Sequence, residues 1–134
     1  MININPQIYT QVVDRVLREF PRAFVTNRYI AAPPQFPCVY CAVADSSMFR
    51  KSRTNATAEN HAAITYRVEV FSNLINGANY EAEDIMSAVD EVFDRLNFTR
   101  MSLNEVPNLY DASVYRLVAL YRAVVGKDHT IYRR

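Results

Sequence analysis

The sequence predicts an α+β fold: an antiparallel or mixed β-sheet with two main helices packed on one face, plus a long loop or hairpin at about 46–61. Three observations predict it. Two segments, near 6–20 and 80–96, repeat apolar residues at the three- and four-residue spacing of a helix. Other segments alternate apolar and polar residues with the period of two that a half-buried strand requires. The order helix, strands, strand, helix, strands separates the two kinds of element along the chain, where a parallel α/β fold would alternate them.

The first helix is expected from Pro6 to about Phe20. Asn5 is a good N-cap, Pro6 suits the first helical position, and Ile4 is placed to staple against Tyr9. Ile8, Val12, Val16 and Phe20 recur every fourth residue, with Val13 and Leu17 widening the stripe. Pro21 ends the helix, because the residue before a proline is pushed out of the helical region. A strand is expected over Phe24 to Ile30, then a connector in which Pro33 and Pro34 cannot pair in a sheet. Phe36 to Asp45 reads as a second strand, with Val39, Cys41 and Val43 on one face and Cys38, Tyr40 and Ala42 on the other. Both faces are apolar, which predicts a central position. From Ser46 to about Asn60 the pattern dissolves into polar residues without period, a length of loop that in a compact domain usually has a function or lacks order.

The next strand, Ala63 to Phe71, points Ile64, Tyr66, Val68 and Val70 inward and Thr65, Arg67 and Glu69 outward. The second helix, Tyr80 to Leu96, aligns Ala82, Ile85, Met86, Val89, Val92, Phe93 and Leu96 on one stripe, with Asn79 or Asn76 as its cap. Acidic residues at 81, 83 and 84 favour its N-terminus through the helix dipole. Asn97 tolerates the left-handed conformation, and Phe98 can fold back on the last turn. Thr99 to Val106 reads as a strand with Met101 and Leu103 inward. Ser113 to Val125 fits either period, and its β-branched and Tyr content favours strand. Gly126-Lys127-Asp128 is a turn, and His129 to Arg133 returns as a short strand.

The 134 residues suit one domain, 1–134, half of them hydrophobic and with no apolar run near the ~20 residues of a membrane span. The first residues lack the basic and then apolar pattern of a signal peptide, so no secretion is expected. The net charge of +1 hides an asymmetry. The second helix carries Glu81, Glu83, Asp84, Asp90, Glu91 and Asp94 against Arg95 alone, while Arg residues lie on the strands. Arg suits bidentate contacts with carboxylates at interfaces, so Asp90, Glu91 and Asp94 on one copy could meet Arg67, Arg116 and Arg122 on the next. A solvated helix face explains the acidic residues equally well.

Chemistry-bearing motifs are few. With only two glycines, Gly77 and Gly126, the chain has no phosphate-cradling loop and no dinucleotide fingerprint. Cys38 and Cys41 form a C-x-x-C, but in a strand that offset turns the two thiols to opposite faces, and core packing is expected. His61 and His129 are too far apart in sequence for a Cys/His zinc motif. Asp45, Ser46, Ser47 and His61 lack the strained elbow of a hydrolase nucleophile. No catalytic residue, cofactor site or metal site is assigned. Arg50, Lys51 and Arg53 form a small basic cluster beside Met48 and Phe49, suited to DNA or to an acidic partner surface, and an exposed flexible loop explains it equally well.

Four stretches are distinctive together: Phe36-Pro37-Cys38-Val39-Tyr40; Tyr66-Arg67-Val68-Glu69-Val70-Phe71-Ser72-Asn73; Leu96-Asn97-Phe98-Thr99-Arg100; and Pro107-Asn108-Leu109-Tyr110-Asp111-Ala112-Ser113-Val114-Tyr115-Arg116. Through them the chain resembles the tail terminator, or tail completion, proteins of long-tailed bacteriophages, head-tail joining proteins sometimes called minor capsid proteins. One departure is Asn97, where such a helix-to-strand turn is expected to carry Gly. The resemblance implies a non-enzymatic virion protein of the phage neck, made in the host cytoplasm. It implies a homo-oligomeric ring, hexameric by analogy, that caps the completed tail tube and joins it to the head connector or stopper protein. DNA would pass through the lumen without sequence-specific binding. The 46–61 segment, with Met48, Phe49, Arg50, Lys51 and Arg53, would reach the tube or a neighbouring copy and order on assembly. Alternatives are a head-completion or stopper protein of the same neck, or a small cytoplasmic ligand-binding module.

Overall fold

The computed structural model describes residues 2–48, 61–108 and 111–132, Met48 by its backbone alone. The elements run α1 (Asn5–Glu19), β1 (Phe24–Thr26), β2 (Cys38–Met48), β3 (His61–Ser72), α2 (Ala78–Arg95), β4 (Thr99–Glu105), β5 (Tyr115–Gly126) and β6 (Ile131–Tyr132). The sheet is mixed and ordered β1-β2-β3-β5-β4, with β6 also on β5. Only the β1–β2 pair is parallel; β2–β3, β3–β5, β4–β5 and β5–β6 are antiparallel. The expected α+β class is therefore what the chain adopts.

Both helices cover the same face, because each has one apolar stripe to bury. Ile8, Val12 and Val16 of α1 and Ala82, Ile85, Met86, Val89, Val92 and Phe93 of α2 join Val39, Cys41, Tyr66, Val68, Val70, Ala119, Tyr121 and Ala123 of the sheet in one core. At its centre the rings of Phe93 and Tyr121 stack at 4.4 Å and 8°, with Tyr66 and Phe98 edge-on or tilted at 5.2–5.6 Å. Such a cluster adds about 0.5–1.5 kcal/mol per aromatic pair beyond the burial of its area. The α1 stripe is narrower than its spacing suggests, since Leu17 remains 40% exposed.

The element ends depart from expectation for local reasons. Asn5 lies inside α1, and Ile4 takes the cap position without a side-chain hydrogen bond. The Asn5 side chain is occupied elsewhere, its Oδ1 accepting from the Tyr66 hydroxyl at 2.8 Å. The expected strand 24–30 stops at Thr26, where the Thr26 hydroxyl oxygen accepts the Arg28 N–H at 3.0 Å and turns the chain. The second strand starts at Cys38, after a cis Phe36–Pro37 bond, and runs to Met48. Residues 46–48 and 61 of the expected loop are thus paired strand, with Ser46, Ser47 and Met48 opposite Ile64, Ala63 and Ala62. Phe49, Arg50, Lys51 and Arg53 lie outside the described residues.

Neither Asn76 nor Asn79 caps α2; the cap position is Gly77. Asn76 instead supplies a positive φ of 62° in the preceding turn. The C-terminus follows expectation: Asn97 has φ 67°, its N–H reaches the Asp94 carbonyl at 3.0 Å, and the Phe98 N–H reaches the Phe93 carbonyl at 2.9 Å. Those two bonds define a Schellman cap, with the Phe98 ring folded into the core. Residues 115–126 resolve as strand, because both edges of β5 find partners.

Three side chains overturn their expected placement. Val43, expected inward and central, is 40% exposed, and Met101 and Leu103, expected inward, are 57% and 39% exposed. The cause is position: β4 is the sheet's edge, and β1 covers only the first three residues of β2, Cys38 to Tyr40. A bulge interrupts each of these strands, between Val43 and Asp45 and between Arg100 and Ser102. The two bulges fall at one level of the sheet, where Val43, Tyr66, Tyr121 and Arg100 form a row across four strands.

Candidate functional site

The charged residues singled out in the sequence fall on opposite sides of the sheet. Asp90, Glu91 and Asp94 ride on α2, over the covered face, while Arg67, Arg116 and Arg122 project from β3 and β5 to the other face. Most of them have intrachain partners. Asp90 Oδ1 accepts from the Tyr121 hydroxyl at 3.0 Å and from Arg100 Nη1 at 3.2 Å, tying α2 to β5 and β4. Glu91 pairs with Arg15 of α1, which also holds Glu19. Glu81, the α2 acid in the first turn, accepts from the Ser72 hydroxyl at 2.6 Å. Asp94, with Glu83 and Asp84, is exposed.

On the uncovered face, Glu69 is not the solvated outward residue that alternation suggests. It is 1% exposed, with Arg67 Nε on one carboxylate oxygen and Arg116 on the other, each at 2.7 Å. The Arg116 guanidinium also sits 5.8 Å from the Phe71 ring centre. A buried carboxylate needs such partners, since stranding a charge away from water costs several kcal/mol. Arg122 has a buried Nε with no hydrogen-bond partner. Sequence reasoning assigned these arginines to a neighbouring copy and missed the network; the i, i+2 spacing of Arg67 and Glu69 on one face was the signal that could have shown part of it.

Beside Arg116, a small second cluster joins Cys38, Phe71 and Val114, with Phe24 and Phe36 against it. Cys41 lies on the opposite face, in the main core, as the offset of three predicted. Burial pushes the Cys38 thiol up to about 11 and the Cys41 thiol up to about 12. Neither is poised as a thiolate at neutral pH. His61 is half-buried against the Tyr132 ring at 5.6 Å, and among the described residues no three His, Cys, Asp or Glu side chains converge as a metal site would require.

The hollows of the surface are open. One, about 490 Å³, runs between α2 and β4 and is lined by Glu83, Met86, Asp90, Arg100, Leu103 and Leu117. Another, about 250 Å³, lies under the N-terminal segment between Ile2, Ile4, Val43, Ile64 and Tyr66. Among their polar groups, Asp90 and Arg100 bond each other in the first, and Asn5 and Tyr66 in the second. Among the described residues, single large apolar side chains are left in solvent at Leu17, Tyr29 and Tyr132, and others are grouped at two places. Leu74, Ile75 and Tyr80, at 51%, 86% and 68%, crown the β3–α2 turn; Val43, Met101 and Leu103 stand on the two edge strands. Sequence reasoning missed this second group, because exposure at an edge depends on strand order, which residue spacing does not encode.

Among the described residues no helix is long and apolar enough to cross a membrane. Compared with known protein families the sequence matches none, and compared with curated proteins it matches none.

Proposed function

We propose that this chain is a structural protein of a phage neck, a tail terminator. Copies close into a ring, hexameric by analogy, that caps the finished tail tube and receives the head connector or stopper, with DNA passing through the lumen. Its location is then the virion, after synthesis in the host cytoplasm. The observation that carries the reading is the apolar surface grouped on strand edges and a protruding turn, positions suited to other protein chains, with the hollows wide and open. Supporting it, three of the four stretches that carry the resemblance meet in space, since Phe36, Cys38, Phe71 and Val114 belong to one cluster. The fourth is the Schellman turn around Asn97, where Asn supplies the positive φ for which Gly was expected.

The charge pairing between copies expected from sequence has to compete with intrachain bonds. Asp90, Glu91, Arg67 and Arg116 already hold partners, so reversing them would disturb the protomer before any ring. The direct test mixes the protein with tail tubes and images them by electron microscopy. Extra density only at the head-proximal end of the tube is the expected result. Density along the tube walls, or none, contradicts the terminator role.

A further inference from the structure

The two open edges of the sheet belong together. Three of the eleven residues of β2 pair with β1, which leaves the outer side of Cys41–Met48 without a strand partner among the described residues. On the far side, the seven residues of β4 pair with β5 alone. From residue 43 to 47 β2 is exposed, and so is most of β4. An edge of this length is a template for another strand, and proteins that are not meant to pair there cover or shorten it.

The direction of the strands fixes what fits. β2, β3, β5 and β4 alternate strictly, so β4 runs opposite to β2. A second copy set beside the first by a sideways rotation places its β2 antiparallel to the first copy's β4, continuing the sheet without reversing the alternation. The backbone groups are also turned the right way. The Val106 N–H donates to the Arg116 carbonyl at 2.9 Å. Alternation from there aims the N–H groups of Leu103 and Glu105 away from β5. On the other edge the Pro37 carbonyl faces β1, accepting from the Phe24 N–H at 2.9 Å. The same alternation turns Cys41 and Val43 outward and, past the bulge, Ser46. Both edges carry exposed apolar side chains, Val43 on one and Met101 and Leu103 on the other.

We infer that β4 of one copy pairs antiparallel with the open segment of β2 of the next, a heterologous main-chain contact between copies of this chain. Because the two edges differ, each copy offers one of each, and the contact propagates until a ring closes. It rests on the ring reading for the identity of the partner, and it assigns that ring its seam: backbone hydrogen bonds, where the sequence suggested ion pairs.

The test blocks one edge at a time. Glu105→Pro removes an outward N–H from β4, and Ser46→Pro removes one from β2, each at an edge position where proline is tolerated. Met101→Lys repeats the β4 block through a side chain already 57% exposed, leaving the backbone untouched. Folding of every variant is checked by circular dichroism, and mass by light scattering. Each variant alone should be monomeric where the wild type assembles. An equimolar mixture of Ser46→Pro with Glu105→Pro or Met101→Lys should give a two-chain species and nothing larger, because one free β2 edge then meets one free β4 edge. Folded variants that assemble as the wild type does, or a mixture that stays monomeric, overturn the edge contact and leave the ring reading standing. A wild type that is itself monomeric removes both.

Discussion

Glu69 shows how much one side chain can hold on the uncovered face. Its carboxylate, 1% exposed, bonds both Arg67 and Arg116 and so fixes β3 to β5 beside the Phe71 cluster. Replacing it with Ala leaves Arg116, its side chain 16% exposed, without its carboxylate while Arg67 at 39% keeps access to water, and the expected loss is about 1–3 kcal/mol. Urea unfolding measures it directly; a loss below half a kilocalorie would mean that water, and not Glu69, satisfies those arginines. The thiols make a second residue-scale statement. With Cys38 pushed up to about 11 and Cys41 up to about 12 by burial, alkylation of the native protein near neutral pH should be much slower than that of the urea-unfolded chain. Equal rates would contradict the buried placement of both sulfurs.

Among the elements, the turn from α2 into β4 depends on Asn97 at φ 67°. Asn97→Ala should cost about 1 kcal/mol, because a Cβ in the left-handed region is strained, and Asn97→Gly should recover most of it. Denaturation curves that coincide for Ala and Gly would show that the turn relaxes. The sheet and α2 also share a response to alkali. Burial, reinforced for Tyr121 by the neighbouring Asp90 charge, raises the phenols of Tyr66 and Tyr121, as it raises both thiols. Each group binds its proton more tightly in the folded state. Their stabilisation is therefore complete below the unfolded values, about 8.5 for Cys and about 10 for Tyr, and is lost as pH climbs from there toward the folded values. Thermal melts from neutral to alkaline pH should fall over that window, and less steeply for Tyr121→Phe; a flat profile would contradict the burial of these groups. These elements were largely legible in the sequence, since the stripes of α1 and α2 and the Schellman turn follow from spacing and from Asn97 itself. The end of β1 at Thr26 was not, because a hydroxyl oxygen accepting the Arg28 N–H is a local competition that periodicity cannot see. Nor was the exposure of Val43, Met101 and Leu103, which strand order alone determines.

For the whole molecule, the sheet is closed to water by helices on one face and open at its edges, and the account of function rests on what meets those edges. The candidate site was only partly legible: the acidic helix and the arginines were visible as composition, but their intrachain bonds to Tyr121, Arg15 and Glu69 depend on which elements pack together. The measurement that tests the central claim most directly is the solution mass of the full chain across a wide range of concentration. A heterologous contact that closes predicts one assembly of fixed mass, six copies of a 15.4 kDa chain by analogy, in equilibrium with protomer. A mass that stays at that of one chain, or that grows without limit as concentration rises, would contradict a closed ring.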